Sequence, residues 1–406
     1  MKPVKGTRDF YPEIKFNQDY IFKAWEKVAK KFAYENIDGP MLEPAELWRM
    51  KSGAEIPDQM YVFTDKGNRE VAVRPELTPT VARMIAAQQK SLMKPIKWYS
   101  IGRFWRYERA QAGRLREFFQ FNLDCLGSDS MKLDSEVIAT AINVMLEFGF
   151  TKKDFYIRLG NRKLIESLIL ATGVSKEQLK DVSRLIDKLD KIGIDKFKLS
   201  LTDLGLGKKV VDGLVSYLGS TLKEIDSSKL DENGKLGLNQ INEVIKYLKY
   251  YGLDKYVEFD PSIMRGFDYY TSTVFEVFDR SKKFRAVAGG GRYDNLVEDF
   301  GGDPLSGVGY AMGDVVIELF LKEKGLIPKY DKGVDYFVAV MDEKAMKYAI
   351  SVATELRLKG NVEIEIMDRN FGKQTKYASK IGAKNLVVIG NDEVKSKKYK
   401  IKSLKS

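Results

Sequence analysis

The residues of this chain best suited to chemistry crowd into positions 98–127, WYSIGRFWRYERAQAGRLREFFQFNLDCLG. Two arms alternate around a charged loop. In the first arm Tyr99, Ile101 and Trp105 are odd, while Ser100, Gly102, Arg106 and Glu108 are even. In the second, Phe119, Phe121, Leu123 and Cys125 are odd, and Gln120, Asn122 and Asp124 are even. Period-two alternation predicts antiparallel strands with one buried face. The other face then carries guanidinium, amide and carboxylate groups over a sheet. The loop over 108–116 holds too many charges for a plain turn. Carboxylates and amides can hold an ammonium, and arginine forks grip phosphate oxygens in bidentate fashion. A small zwitterion and a polyphosphate would suit such a surface. A solvated hairpin would carry the same charges, and this stretch alone leaves both open.

Two more stretches offer chemistry. Pro75-Glu76-Leu77-Thr78-Pro79 puts a carboxylate at a strand end, beside the opening of a helix over 80–89. It is either a ligand group or a complement to the helix dipole. Gly289-Gly290-Gly291 follows a strand and precedes a short helix. Glycines there allow close approach of backbone to a ligand and positive φ, or simply a tight turn. They do not make a dinucleotide fingerprint, because the GxGxxG spacing is missing.

Composition narrows the chemistry. The chain has no histidine, which removes His-dependent triads, His metal ligands and the usual neutral-pH base. With Cys125 as the only cysteine, neither an intrachain disulfide nor a cysteine zinc site can form, and a cytoplasmic setting is expected. No zinc, haem or nicotinamide is expected. No apolar run approaches the ~20 residues that span a bilayer, and MKPVKGTRDFYPE lacks the apolar core of a secretory signal. A formal charge of +11, from 68 basic and 57 acidic residues, favours a polyanionic partner such as nucleic acid. A lysine-rich surface serving solubility would give the same balance.

The elements that must position these groups follow in order. Helical spacing covers 16–35 and ends at Gly39-Pro40, and a short helix occupies 45–50. Residues 60–64 and 70–74 read as a hairpin, and 134–148 as a helix. Residues 151–255 change character and read as an inserted helical module, with helices over 161–171, 176–192, 208–218 and 237–251. β-type sequence returns at Val257, and 306–313 reads as a glycine-punctuated strand before a helix over 314–324. A linker, GLIPKYDKG, then leads to a β-α-β-α-β pattern over 334–406, a small α/β domain.

With these pieces placed, the chain resembles a class II aminoacyl-tRNA synthetase, specifically histidyl-tRNA synthetase, over essentially its whole length. KGTRDFYPE is similar to the family's N-terminal signature. The long first helix with Gly39-Pro40 is similar to motif 1, and FWRYERAQAGRLREFFQFNLD to motif 2. MRGFDYYTSTVFE and AGGGRYDNL resemble the two signatures peculiar to the histidine enzymes. The resemblance implies an α+β catalytic domain on a mostly antiparallel sheet (1–150 and 256–325), the helical insertion at 151–255, and an anticodon-binding-like α/β domain at 334–406. It implies a homodimer that joins L-histidine to tRNA(His), using ATP with Mg2+ as the substrate complex and no metal of its own.

The resemblance also implies roles. Arg106 and Arg265 would be catalytic, binding the α-phosphate of ATP and the carboxylate of histidine. Glu76, Leu77, Thr78, Gln120, Asp124, Tyr269 and Tyr270 would line the histidine pocket, and Tyr293 would close it. Glu108 would place the adenine or the metal, and Arg114 would reach the β- and γ-phosphates. One departure stands out. Motif 3 of the family ends in an arginine that contacts ATP, whereas here Gly313 is followed by Asp314-Val315-Val316. Either another arginine, Arg109 or Arg292, takes over, or ATP use is impaired. A histidine-sensing paralogue, such as the regulatory subunit of ATP phosphoribosyltransferase, and a tRNA-binding regulator are the competing expectations.

Overall fold

Pro12 opens the first helix, Pro12–Lys31, at a position where a missing N–H costs nothing. The helix therefore starts before position 16. It also stops before 35, because Ala33 turns left-handed at φ 59° and the chain enters strand β1 (Glu35–Asn36). The computed structural model describes residues 1–50, 55–263 and 269–404. The further strands are β2 (Leu42–Pro44), β3 (Tyr61–Thr64), β4 (Glu70–Val73), β5 (Ile96–Trp105), β6 (Glu117–Leu126), β7 (Phe155–Asn161) and β8 (Val257–Phe259). After them come β9 (Thr273–Asp279), β10 (Ala288–Tyr293), β11 (Gly307–Gly313), β12 (Tyr336–Val340), β13 (Val362–Ile364), β14 (Asn385–Ile389) and β15 (Ile401–Ser403). Two compact units result, Met1–Ile327 and Pro328–Ser406.

In the first unit eight strands form one sheet in the order β1-β5-β6-β11-β10-β9-β7-β8. Pairing is antiparallel except at the two edges, β1 with β5 and β7 with β8. This is the mostly antiparallel catalytic sheet expected. Its register lines up Ser100, Asn122, Ala311, Gly289, Glu276, Arg158 and Glu258 across all but the β1 edge. That row is polar at its ends and small at its centre.

The opposite face is the core. Helices Pro12–Lys31 and Met131–Glu147 pack there, with Trp25 stacked on Phe121 at 5.7 Å and its indole N–H directed at Met312 Sδ, 3.2 Å away. Burying a large side chain of this kind contributes about 1.5–3 kcal/mol. The odd positions Phe121, Leu123 and Cys125 are completely buried, as alternation predicts, but Asn122 and Asp124 are only 3% exposed. The hairpin lies inside the sheet and its even face is covered too, so the expectation of one buried face holds for only half of what is seen.

The stretch at 151–255 is not helical throughout. β7 belongs to the main sheet, and helix Glu232–Tyr250 packs on helix Met131–Glu147. Helices Arg162–Ala171, Leu179–Ile192, Ile194–Asp203 and Lys208–Leu218 share a separate apolar cluster around Phe197, Leu201 and Leu214. The helix Ile194–Asp203 has no counterpart in the sequence reading, because Gly193 alone separates it from its predecessor.

The second unit carries its own sheet, β13-β12-β14-β15, parallel except for β15. Helices Met346–Arg357 and Phe371–Lys380 provide the crossovers, giving the expected α/β arrangement. Among the described residues, no helix is long and apolar enough to cross a membrane.

Candidate active site

Arg74 builds the first wall. Its side chain, almost fully buried, donates to Arg103 O at 2.9 Å and Gly39 O at 3.0 Å and pairs with Asp38 at 2.5 Å. Gly102 makes room for it, since a Cβ there would lie 2.5 Å from Arg74 Nη2. The turn that follows is thereby fixed, and it delivers Glu76 to the polar face of the sheet. Glu76 is 3% exposed and accepts a hydrogen bond from the Tyr269 hydroxyl at 3.2 Å.

Glu76, Thr78, Arg106, Gln120, Asn122, Tyr270 and Tyr293 surround a cavity of about 180 Å³, floored by Gly289, Gly309 and Ala311. The floor residues belong to the central strands, where a larger side chain would fill the space. Gly291 lies under Tyr270, with a Cβ there only 3.0 Å from the ring. The glycines of β10 thus permit close approach, and none of Gly289, Gly290 and Gly291 has positive φ. Gln120 Oε1 and Asn122 Nδ2 are buried without a hydrogen-bond partner among the described residues, as groups meant for a ligand would be.

Behind this wall, Asp124 accepts from the Tyr293 hydroxyl at 2.6 Å. Burial raises the Asp124 carboxyl to about 7; the Tyr293 bond opposes the rise and the Glu76 charge adds to it. Burial likewise lifts the phenols of Tyr269, Tyr270 and Tyr293. All three remain hydrogen-bond donors at neutral pH. The result is a small aromatic box with acidic groups, suited to a cationic or ammonium-bearing ligand.

A second cavity, of about 330 Å³, adjoins the first and shares Arg106, Gln120, Gly289 and Ala311 with it. Its other charged lining is Glu108, Arg114, Glu276 and Arg285, and its apolar lining includes Phe118, Val315 and Val316. Arg106 sits at the junction, where its Nε donates to Pro75 O at 2.9 Å and its guanidinium lies 5.6 Å from the Phe118 ring. Arg114 pairs with Glu108. The loop between them is closed by paired backbone bonds of Gln111 and Arg114, with Gly113 left-handed at φ 75°.

A brace outside the cavity holds this loop. Gly6 O accepts from Arg116 N and Glu117 N. Arg8 pairs with Asp314 at 2.6 Å, and the same carboxylate accepts from Phe119 N at 2.9 Å. Burial raises the Asp314 carboxyl while Arg8 holds it down. Nothing in the spacing of these residues announces that tie.

Of the residues singled out in the sequence, Glu76, Thr78, Arg106, Gln120 and Tyr270 line the small cavity, and Arg106, Glu108 and Arg114 the large one. Tyr269 and Asp124 stand one hydrogen bond behind. The Leu77 side chain joins an apolar cluster with Val81 and Ile85. Arg265 lies outside the described residues. Asn122 and Arg285 join the linings without a role foreseen from the sequence; Asn122 shares the parity of Gln120 and Asp124, a signal that points to it. Arg292 does not reach the ATP side. It is buried against Asp134 at 2.5 Å and Ser128 O at 3.2 Å. Arg109 is exposed and absent from both linings. Cys125 faces the core, where burial pushes its thiol up to about 12, which rules out thiolate chemistry at neutral pH.

Comparison with known proteins identifies relatives along the whole chain. Residues 6–314 match the family model described as histidyl-tRNA synthetase, and residues 335–406 match an anticodon binding domain. A histidine–tRNA ligase of Opitutus terrae is 39% identical over 99% of this chain and 93% of its own length. A chloroplastic/mitochondrial histidine–tRNA ligase of Arabidopsis thaliana is 36% identical over 100% of this chain and 84% of its own. Among solved structures, histidyl-tRNA synthetase from a Nostoc species superposes with a TM-score of 0.84 at 25% identity, covering 99% of this chain and 94% of that one. With motifs, fold and full-length relatives pointing the same way, the chain belongs to the histidyl-tRNA synthetase family.

Proposed function

We infer that the protein is a histidine–tRNA ligase, which activates L-histidine with ATP and transfers it to tRNA(His), forming AMP and diphosphate. The observation that carries this is the junction at Arg106. A zwitterion in the small acidic cavity and a nucleotide in the large basic one would meet beside a single guanidinium.

The chemistry then needs alignment more than proton transfer. A histidine carboxylate oxygen attacks the α-phosphorus, the bond to the β-phosphate breaks, and diphosphate leaves. The carboxylate is already a nucleophile, so positioning and neutralisation of phosphate charge supply the acceleration. A hydroxyl at the tRNA 3′ end next attacks the acyl carbon of the adenylate and releases AMP. Glu76 and Gln120, with Thr78 and Tyr270, hold the ammonium and imidazole; Asp124 and Tyr269 back them through Tyr293 and Glu76, and Leu77 supports them from the core. Arg106 takes the carboxylate and α-phosphate, and Arg265 joins it by resemblance to the family. Glu108 and Arg114 serve ATP. Magnesium arrives as the MgATP complex, and Glu108 and Glu276 are the carboxylates that the cavity offers it.

The net charge of +11 suits a tRNA partner, and the unit Pro328–Ser406 is the part we assign to the anticodon. Leu42, Val62 and Phe63, on the small sheet β2-β4-β3, expose apolar surface, which suits a homodimer. A cytoplasmic setting fits a translation enzyme. Charging of tRNA(His) tests the whole reading. The expected result is esterified histidine with matching release of AMP. Histidine binding without any charging would overturn it in favour of a histidine-sensing paralogue.

A further inference from the structure

The large cavity poses a question of charge. Val315 and Val316 form its wall at the start of helix Asp314–Glu323, where the family resemblance leads one to expect a cation for ATP. Val316 is 8% exposed and packs in the apolar core. The arginines that line the cavity among the described residues are Arg106, Arg114 and Arg285. Arg106 is shared with the amino-acid cavity, and Arg114 comes from the loop after β5. Arg292 is committed to Asp134 on the far face of the sheet, and Arg109 lines neither cavity.

Arg285 is placed by a stiff support. Asp279, fully buried at the end of β9, accepts from Lys283 N at 3.0 Å and Phe284 N at 3.1 Å, so the connection to β10 is folded onto one carboxylate. Phe284 packs against Phe320 of the helix Asp314–Glu323 at 5.7 Å. On the other side, Val287 N donates to Val277 O at 2.8 Å. Between these two anchors Arg285 lines the cavity, with Ala286, Val287 and Ala288 beside it. With the backbone already fixed, binding has only the side chain to order and not the connection that carries it.

We propose that Arg285 is an ATP-binding residue, supplying from the β9–β10 connection the cation that Val316 does not supply from the helix. A guanidinium there meets phosphate oxygens with paired N–H donors, an interaction that ammonium groups reproduce poorly. The inference rests on the large cavity being the nucleotide site.

The test compares wild type with Arg285→Ala and Arg285→Lys. MgATP affinity is measured by calorimetry, and KM values for ATP and histidine are measured in histidine-dependent ATP–diphosphate exchange. Arg285→Ala should weaken ATP by about tenfold or more, the scale of one lost charge-assisted hydrogen-bond pair. The KM for histidine should stay within about twofold, a split that general loosening would not produce. Arg285→Lys should recover part of the loss. An unchanged ATP affinity in Arg285→Ala would overturn the proposal, as would an equal rise in both KM values. If the wild type binds ATP but catalyses no exchange, the ligase reading fails while calorimetry still decides the role of Arg285.

Discussion

The two halves of the cleft are built on different principles. In the half we assign to the amino acid, Glu76, Asp124, Tyr269 and Tyr293 are buried and bonded in pairs, and most of the polar lining sits on strands or on the turn locked by Arg74. The half we assign to the nucleotide adds connections to its strand floor, namely the loop after β5, the β9–β10 connection and the start of helix Asp314–Glu323. A site that must tell histidine from other amino acids gains from fixed polar groups, which penalise any ligand that leaves them unpaired. A site that holds a triphosphate gains more from the number of cations around it than from exact shape. On the role proposed for Arg285, the second half can lack one arginine and draw on another element, whereas the first has no comparable freedom.

Breaking the junction should have the largest effect. Arg106→Ala should lower kcat in adenylation by about 10²- to 10³-fold, the cost of removing a group that meets developing charge, as measured by single-turnover formation of histidyl-adenylate. A loss confined to the KM of one substrate would mean that the two cavities do not meet at this residue.

Loosening the brace should strike only the nucleotide half. Asp314→Ala leaves Arg8 and the Phe119 N–H without their shared acceptor. It should cost about 1–3 kcal/mol of stability in urea denaturation and raise the KM for ATP more than that for histidine.

The smallest effect belongs to Asp124 and concerns pH. Its folded carboxyl, lifted from 3.8 to about 7, holds a proton that the unfolded chain has already lost. Between these values the native state binds more protons, so this group's contribution to stability falls as pH rises from about 4 through about 7. Asp124→Asn should flatten that part of the melting-temperature profile. An identical profile in wild type and variant would show that the group is not perturbed.

The same contrast governs what is legible in the sequence. Alternation in β6 is enough to put Gln120, Asn122 and Asp124 on one face, because side chains on a strand have a strict period. Arg292, a candidate on sequence alone, is excluded only by the observed register. It shares the register of Gly290, which packs against Phe275 and Tyr310 in the core, so its side chain faces helix Met131–Glu147 and Asp134. Position at a strand end marks Glu76, but only the family resemblance joins it to Tyr269, 193 residues away. Arg285, the Arg8–Asp314 tie and the membership of β7 in the main sheet stay hidden. Each depends on where a connection returns to the sheet, and local sequence carries no period for that.

The most direct test of this division is histidine-dependent ATP–diphosphate exchange with wild type, Glu76→Gln and Arg114→Ala. Glu76→Gln should raise the KM for histidine by about 10- to 100-fold, as expected for losing a charged partner, and leave that for ATP nearly unchanged. Arg114→Ala should do the reverse. Exchange that is absent in wild type, or variants that shift both KM values alike, would contradict a cleft divided into an amino-acid half and a nucleotide half meeting at Arg106.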